Sequence, residues 1–516
     1  ELRGDALIRK DLFESINQPR QKRGADLFAN ARNAATGALR LKDPKKVQER
    51  ALDAFIYQIS AVTNAEGDDL MDQFQTHDEQ VALLGSLGFK TPKSGEERAV
   101  YDHIDGVAQH CQRWESDRER YAFEIDGLVV KVNSLALQAQ CGSTSHHPRW
   151  AIAYKFKAKQ ATTKLLQVDY QVGRTGAVTP VARVEPVQLA GATISNVSLH
   201  NADFIAEKDI RIGDTVLVER AGDVIPYIVK AMEDLRDGSE QPIVFPTHCP
   251  VCGSKLHRPD GEAVWRCINP GCEAQIRGRM IHFVSKGAMN IDGFGEAYID
   301  RFYKENMLDN LADIYRLDYK RIAFFEGFGQ RSADNLQRAI EKSKSNPAYR
   351  LLYGLGIRHV GRTNSKILVA EVERLQDLAS WSVEQLCELR DIGPVVAQQV
   401  VDAFQLPTTI ALLDELEALG VNTRRLEEEK KQEIAEDAPF AGKTVVFTGT
   451  LTQLKRDQAK KMAIAAGAKV VGSVSSKLGY LVVGEKAGSK LKKAQDLGIV
   501  TLTEEEFINL VDQKSS

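Results

Sequence analysis

The chain has 516 residues, a formal net charge of −3, and a composition that is 43% hydrophobic and 27% charged. That length exceeds what one core holds and calls for several domains. No apolar run approaches the roughly 18 residues of a membrane span and no signal-peptide pattern opens the chain, so a cytoplasmic protein without a membrane partner is expected. With so little net charge, any binding of nucleic acid must come from local basic surfaces.

The first residue is not methionine, and "ELRGDALIRKDLF" starts in mid-pattern as though a strand had been cut, so a fragment or processed form is expected. Residues 1–158 alternate strand-like and helix-like patterns and read as an α+β unit. Within them "EIDGLVVKVNS" sets Glu124, Asp126 and Lys131 among the apolar residues of a strand. Period-two alternation puts Glu124 and Asp126 on one face and Lys131 on the other. A bulge at Gly127 is expected to bring Lys131 round to the face of Asp126. The bland alternative is an edge strand with solvated charges. Buried charges need partners or a cleft, and "AYKFKA" adds Lys155 and Lys157 on one strand face, while "ANARNAATGALR" adds Arg32 and Arg40. So many cations beside an acidic pair suggest a phosphate-handling cleft, with Asp126 or Glu124 able to hold Mg²⁺ (or Mn²⁺).

Residues 159–237 are short β runs with Gly-rich turns, spaced as in a small barrel. The segment 238–275 contains four of the seven cysteines. Cys249, Cys252, Cys267 and Cys272 have the spacing of a closed Zn²⁺ site, which has no open position and is therefore structural. His248 and His257 read as bystanders. The remaining cysteines, Cys111, Cys141 and Cys387, are scattered and argue for reduced thiols.

From 276 to 425 the pattern is helical and is punctuated by "NIDGFGEAY", "FEGFGQRSA", "LYGLGIRHVG" and "LRDIGPVVA", an internal repeat of irregular spacing. Each glycine tripeptide ends one helix and starts another, as in a helix–hairpin–helix. There glycine permits positive φ and the next helix N-terminus offers N–H groups to a phosphate. One copy could be a mere C-cap. Four, centred on Gly295, Gly329, Gly361 and Gly393, favour duplex DNA bound by structure rather than by base order. Residues 426–437 read as a charged linker, and 438–516 as a compact βαβ-like unit.

With these segments in place the chain resembles the bacterial NAD-dependent DNA ligases. "ELRGD", "FANARNAATGALR", "EIDGLVVKVNSL", "RWAIAYKF", "QVGRTGAVTPVA", "RAGDVIP", "FPTHCPVCGS" and "VFTGTL" follow that family's order over essentially the whole length. The resemblance implies a multidomain α+β architecture. Its units are a partial nucleotidyltransferase domain (1–158), an OB-fold β-barrel (159–237), a four-cysteine zinc finger (238–275), a helical helix–hairpin–helix domain (276–425) and an α/β BRCT domain (438–516). It further implies NAD as AMP donor and nicked double-stranded DNA as partner, bound by a monomer.

Carried over residue by residue, Asp5, Lys131 and Lys155 match nucleotide-binding positions and Asp126 matches a carboxylate essential to the site. Arg32, Arg40 and Arg118 match arginines that handle the adenylate or the nick phosphate. Arg174, Thr175, Arg220, Val224 and Ile225 match barrel residues that grip DNA. Thr448, Gly449 and Lys490 fall where the BRCT fold has a phosphate pocket, although a plain packing domain is the alternative. Two departures stand out. The family's Lys-x-Asp-Gly nucleophile and its nicotinamide-mononucleotide-binding region do not occur here, so self-adenylation by this chain is not expected. Asp5 also stands where the family usually has Glu. The competing reading is a non-catalytic scaffold that binds DNA nicks. An RNA ligase or capping-type transferase would not need four duplex-binding hairpins.

Overall fold

The computed structural model describes residues 1–512 except 29, 65–69, 145–146, 190, 222–224, 431–437, 455, 472–473, 475–477, 486 and 488. Val224 therefore lies outside the described residues, as does most of the charged linker. No helix among the described residues is long and apolar enough to cross a membrane.

The first unit contains two antiparallel pairs. Strands β1 (Leu2–Leu7) and β2 (Asp53–Ile59) pair with each other, as do β3 (Gly127–Lys131) and β4 (Ala151–Lys155). Helix Ala31–Leu39 follows β1. Asn30 accepts a hydrogen bond from the Asn33 N–H and caps its start, and its alanines 31, 34, 35 and 38 are buried. Small side chains at that spacing let the helix lie close to its neighbours and turn Arg32 outward.

The expected bulge is absent. β3 and β4 run in unbroken register from Gly127 opposite Lys155 to Lys131 opposite Ala151, and Glu124 and Asp126 precede the strand rather than belonging to it. Gly127 is there for a different reason. A Cβ at that position would run into the Tyr154 carbonyl and sit 3.1 Å from Lys155 Cα. Gly127→Ala is therefore expected to destabilise this unit by roughly 1–3 kcal/mol through overpacking, read as a lower thermal midpoint for the chain. β4 ends at Lys155, so Lys157 does not share its strand face.

In the barrel, β5 (Gln160–Val172), β6 (Val178–Leu189), β7 (Ala192–Ser198), β9 (Thr215–Ala221) and β10 (Ile225–Ala231) form one sheet in the order β10-β9-β5-β6-β7. The short β8 (Arg211–Ile212) pairs with β11 (Gln241–Pro242). β5 serves two neighbours, β9 through Gln160–Lys164 and β6 through Leu165–Val172, with a register shift at Leu165. That is how one strand turns a barrel corner. Leu165, Val184, Val197, Val216, Val218 and Ile228 fill the interior.

The finger is the hairpin β12 (Leu256–His257) and β13 (Arg266–Cys267) followed by helix Glu273–Val284. It docks on the barrel through Val178 N–H to Trp265 O (2.9 Å) and Cys267 N–H to Gly176 O (2.8 Å). The helical unit around Phe283, Phe302, Leu351, Leu368 and Phe404 has the largest core. The last unit is a parallel sheet in the order β15 (Lys469–Val470), β14 (Thr444–Thr448), β16 (Tyr480–Val483) and β17 (Val500–Thr503).

Candidate functional site

Directly opposed residues of an antiparallel pair share a face. Gly127, Val129 and Lys131 therefore lie on one face with Lys155, Ala153 and Ala151. Two lysines stand at opposite ends of this face, about 13 Å apart along the backbone at ~3.3 Å per residue. The ground between them is apolar and open: Val129 is 62% exposed. Asp126, just before the strand, reaches over the Lys155 end. Its carboxylate accepts from Lys155 Nζ at 2.8 Å and lies 3.6 Å from Arg32 Nη1.

The Lys131 end is built differently. Its ammonium is half-buried, 3.1 Å from His77 Nε2 and 4.8 Å from the Tyr57 ring centre. Burial pulls its pKa down to about 8 against the opposing pull of Asp5 on β1. His77 is pushed down to about 4, first by burial and then by the Lys131 charge. It is thus neutral near pH 7, hydrogen-bonds the Tyr57 backbone, and turns an acceptor nitrogen to Lys131. Sequence reasoning missed His77, Tyr57 and Val129. The only local signal was the capping box of Thr76 and Glu79, which marks a helix start at His77 but does not say what the imidazole faces.

Arg40 ends the helix that begins beside Arg32 and is exposed, about 12 Å along the axis at 1.5 Å per residue. Arg118 sits past Lys155, donating to the Lys157 carbonyl at 3.3 Å with its guanidinium 5.3 Å from the Phe156 ring. The first unit thus brings Asp5, Arg32, Asp126, Lys131 and Lys155 round β1, β3, β4 and the alanine-rich helix, with Arg40 and Arg118 flanking.

The four cysteine sulfurs all lie within 4.8 Å of one another, with Cys249–Cys272 at 3.9 Å and Cys252–Cys267 at 3.5 Å. A tetrahedron with Zn–S bonds of ~2.3 Å has edges of about 3.8 Å, so the residues fit Zn²⁺. Among the described residues this is the one group of three or more potential ligands so gathered.

Gly295, Gly329, Gly361 and Gly393 each cap the N-terminus of a helix: Glu296–Lys304, Gln330–Ser343, Arg362–Glu371 and Pro394–Phe404. They fall 34, 32 and 32 residues apart, more regular than expected. None has the positive φ expected of it; all four are extended (φ −93°, −161°, −81° and −92°). The left-handed residue lies two positions earlier in every case: Gly293, Gly327, His359 and Asp391, at φ 74°, 81°, 61° and 68°. The cap glycine serves openness instead. No side chain caps these helices, and a Cβ at any of the four would meet nothing within 4 Å. That leaves open space beside each helix start, where an anion can approach its uncapped N–H groups. The first helix starts with Glu296, which opposes an anion, whereas Arg362 opens the third.

The barrel residues expected at DNA divide between contacts within the chain and open surface. Arg174 donates to the Gly356 carbonyl at 3.1 Å, and Thr175 accepts from Arg266 through Oγ1 at 3.4 Å. Arg220 is buried, with Nη1 directed at the Leu189 carbonyl, while Ile225 is 65% exposed. In the last unit Thr448 is buried. Gly449 has φ 73° and packs against Gly484, and Lys490 lies in helix Ser489–Asp496.

A cationic face on one unit, open helix starts on another and a four-cysteine cluster that fits zinc define a class of multidomain proteins suited to a phosphate backbone. Comparisons with known proteins narrow this. Residues 1–159 match the NAD-dependent DNA ligase adenylation domain, 162–240 its OB-fold domain and 248–274 its C4 zinc finger. A helix–hairpin–helix motif matches 350–413 and a BRCT domain 436–511. A protein named DNA ligase from Sulfurihydrogenibium azorense is 50% identical over 516 residues, all of this chain and 72% of the relative. Those of Persephonella marina (50% over 512 residues, 99% and 71%) and Aquifex aeolicus (46% over 512, 99% and 69%) are similar. The chain belongs to the NAD-dependent DNA ligase family.

Proposed function

We propose that the face carrying Lys131 and Lys155 is an adenylate pocket and that the chain works on 5′-phosphate/3′-hydroxyl nicks in duplex DNA. The observation that carries this is the spacing of two lysines across an open apolar floor, with Asp126 tethering one of them. Val129 offers a flat base a surface, and the cations face its phosphate. NAD, when bound, supplies the adenylyl group. Lys155 and Arg32 hold the phosphate end, Asp126 fixes both, and Lys131 neutralises charge from the other side.

In the closing step the 3′-hydroxyl oxygen attacks the 5′-phosphorus of an adenylylated nick. A phosphodiester P–O bond forms as the P–O bond to AMP breaks, AMP leaves, and the hydroxyl proton passes to solvent. Fixed cations suit such charge migration, since they need no reorganisation. Mg²⁺ (or Mn²⁺) would be carried mainly by the substrate phosphates with Asp126 as a protein ligand, as is common for that ion. Open N-termini at Gly329 and Gly361, flanked by Arg331 and Arg362, suit the duplex backbone best.

The 516 residues contain no Lys-x-Asp-Gly, so the reading is tested with two nicked duplexes and Mg²⁺, one already 5′-adenylylated and one plain with NAD. Sealing of only the first is expected. Sealing of neither, with nick binding retained, would favour the scaffold.

The depressed Lys131 pKa gives a pH signature. Its folded value lies below the unfolded one, so burying the ammonium costs stability below about pH 8, and the cost fades as pH rises toward the unfolded value. For ligand the sign is reversed. AMP stays dianionic above its second pKa of about 6 and needs the ammonium. Affinity for AMP should therefore hold to about pH 8 and then fall toward tenfold per unit, by calorimetry from pH 7 to 9.5. In Lys131→Arg the fall should be absent.

A further inference from the structure

The loop leading into the third hairpin helix is held from two sides. At one end Arg174 of the barrel donates to the Gly356 carbonyl, and Gly356 (φ 73°) is so close that a Cβ would sit 2.9 Å from Arg174 Nη1. At the other end Arg358 Nη2 donates to Glu262 Oε1 of the zinc finger at 2.7 Å. The second oxygen of Glu262 accepts from Arg266 Nε and Nη2 at 3.0 and 2.8 Å. The Glu262 carbonyl accepts from Arg258 at 2.7 Å, and Arg258 in turn forks onto Asp203 of the barrel at 2.9 and 2.7 Å. Arg358 and then Arg266 hold the Glu262 carboxyl down to about 2, so the clasp stays charged at any working pH. Between the two anchors and Gly361 lies only His359, left-handed at φ 61°, and Val360, which is buried.

We propose that Glu262 is a positioning residue: it docks the zinc finger onto the third hairpin and thereby sets the direction in which the open N-terminus at Gly361 presents its N–H groups to a DNA phosphate. The finger then aids DNA binding by orienting a neighbour as well as by its own surface. This rests on the DNA-binding reading above. A direct charge effect has the opposite sign, since removing an anion from a DNA-facing surface strengthens binding by itself.

The test compares the chain with Glu262→Ala, Glu262→Gln and Glu262→Ala/Arg358→Ala. Affinity for a nicked duplex is measured from 50 to 200 mM salt, with zinc content and hydrogen exchange at residues 356–363. Glu262→Ala is expected to keep one zinc per chain and lose about tenfold in affinity across that range with the log–log salt slope little changed, since backbone N–H groups carry no net charge and release no counterion. Glu262→Gln, which still accepts hydrogen bonds, should fall between, and exchange at 356–363 should quicken in both. The double variant should add little, since the pair acts as one unit. Unchanged or tighter binding with zinc retained would overturn the proposal, as would fully additive loss. If Glu262→Ala loses zinc, Glu262→Gln decides by the same readings. If the unsubstituted chain shows no salt-dependent DNA binding, the DNA reading fails. Exchange at 356–363 then still judges the clasp alone.

Discussion

Lys131→Ala should slow the sealing of a pre-adenylylated nick by about 10²–10³-fold, the usual effect of losing one preorganised group aimed at developing charge. Lys155 cannot stand in for it, because Asp126 already holds Lys155 at the far end of the face. His77 cannot either, being neutral near pH 7. Fold should not suffer, since the depressed pKa means that the buried ammonium is a burden on the folded chain. Single-turnover sealing, nick affinity and thermal midpoint separate the possibilities. A rate loss with affinity for a plain nick within twofold and an unchanged midpoint supports phosphate work. A rate within threefold of the parent would remove Lys131 from the chemistry, and a parallel drop in midpoint would make its role structural.

The second large effect should come from the cysteines. Apart from its cysteines, the fully buried part of the finger's apolar cluster is Val178, contributed by the barrel, and Leu256, with Phe245, Trp265 and Ala274 only partly buried against it. So small a core does not hold a segment on its own, whereas zinc binding in such sites is worth about 10–16 kcal/mol apparent free energy. Cys272 is fully buried at the N-terminus of helix Glu273–Val284. Cys272→Ser is expected to lose the metal, expose 248–274 to hydrogen exchange and weaken nick binding by more than tenfold. Gly176 packs against the Cys267 carbonyl so closely that no Cβ fits, so the barrel loop at Arg174–Gly176 should loosen too. Metal content by mass spectrometry with exchange mapping checks this. Retained zinc and unchanged binding would refute the assignment of all four cysteines to one zinc ion.

Much of this was legible before any coordinates. The cysteine spacing, the repeated glycine tripeptides and the order of family-like segments are local in the chain, and each reflects a local need: ligands for one ion, an open helix start, a turn. The errors also have local causes. Apolar alternation through Ile125 and Leu128 extends the apparent strand back over Asp126, but pairing with β4 begins only at Gly127, opposite Lys155. The hairpin glycines look like left-handed positions because glycine so often is. The left-handed turn falls two residues earlier, where His359 and Asp391 adopt it without glycine.

By itself the amino-acid sequence determined the multidomain architecture, the cysteine cluster that fits zinc, the four glycine-marked helix starts and the charged residues proposed for the adenylate face, because these are written in spacing and residue type along one stretch of chain. Only the tertiary structure decided which of those charges meet. Asp126 pairs with Lys155 and Arg32, Lys131 leans on His77 and Tyr57, and Arg174 and Arg358 serve neighbouring units. Such partners lie tens to almost two hundred residues apart, and short-range electrostatics and hydrogen bonding act only once packing has brought them within a few ångströms.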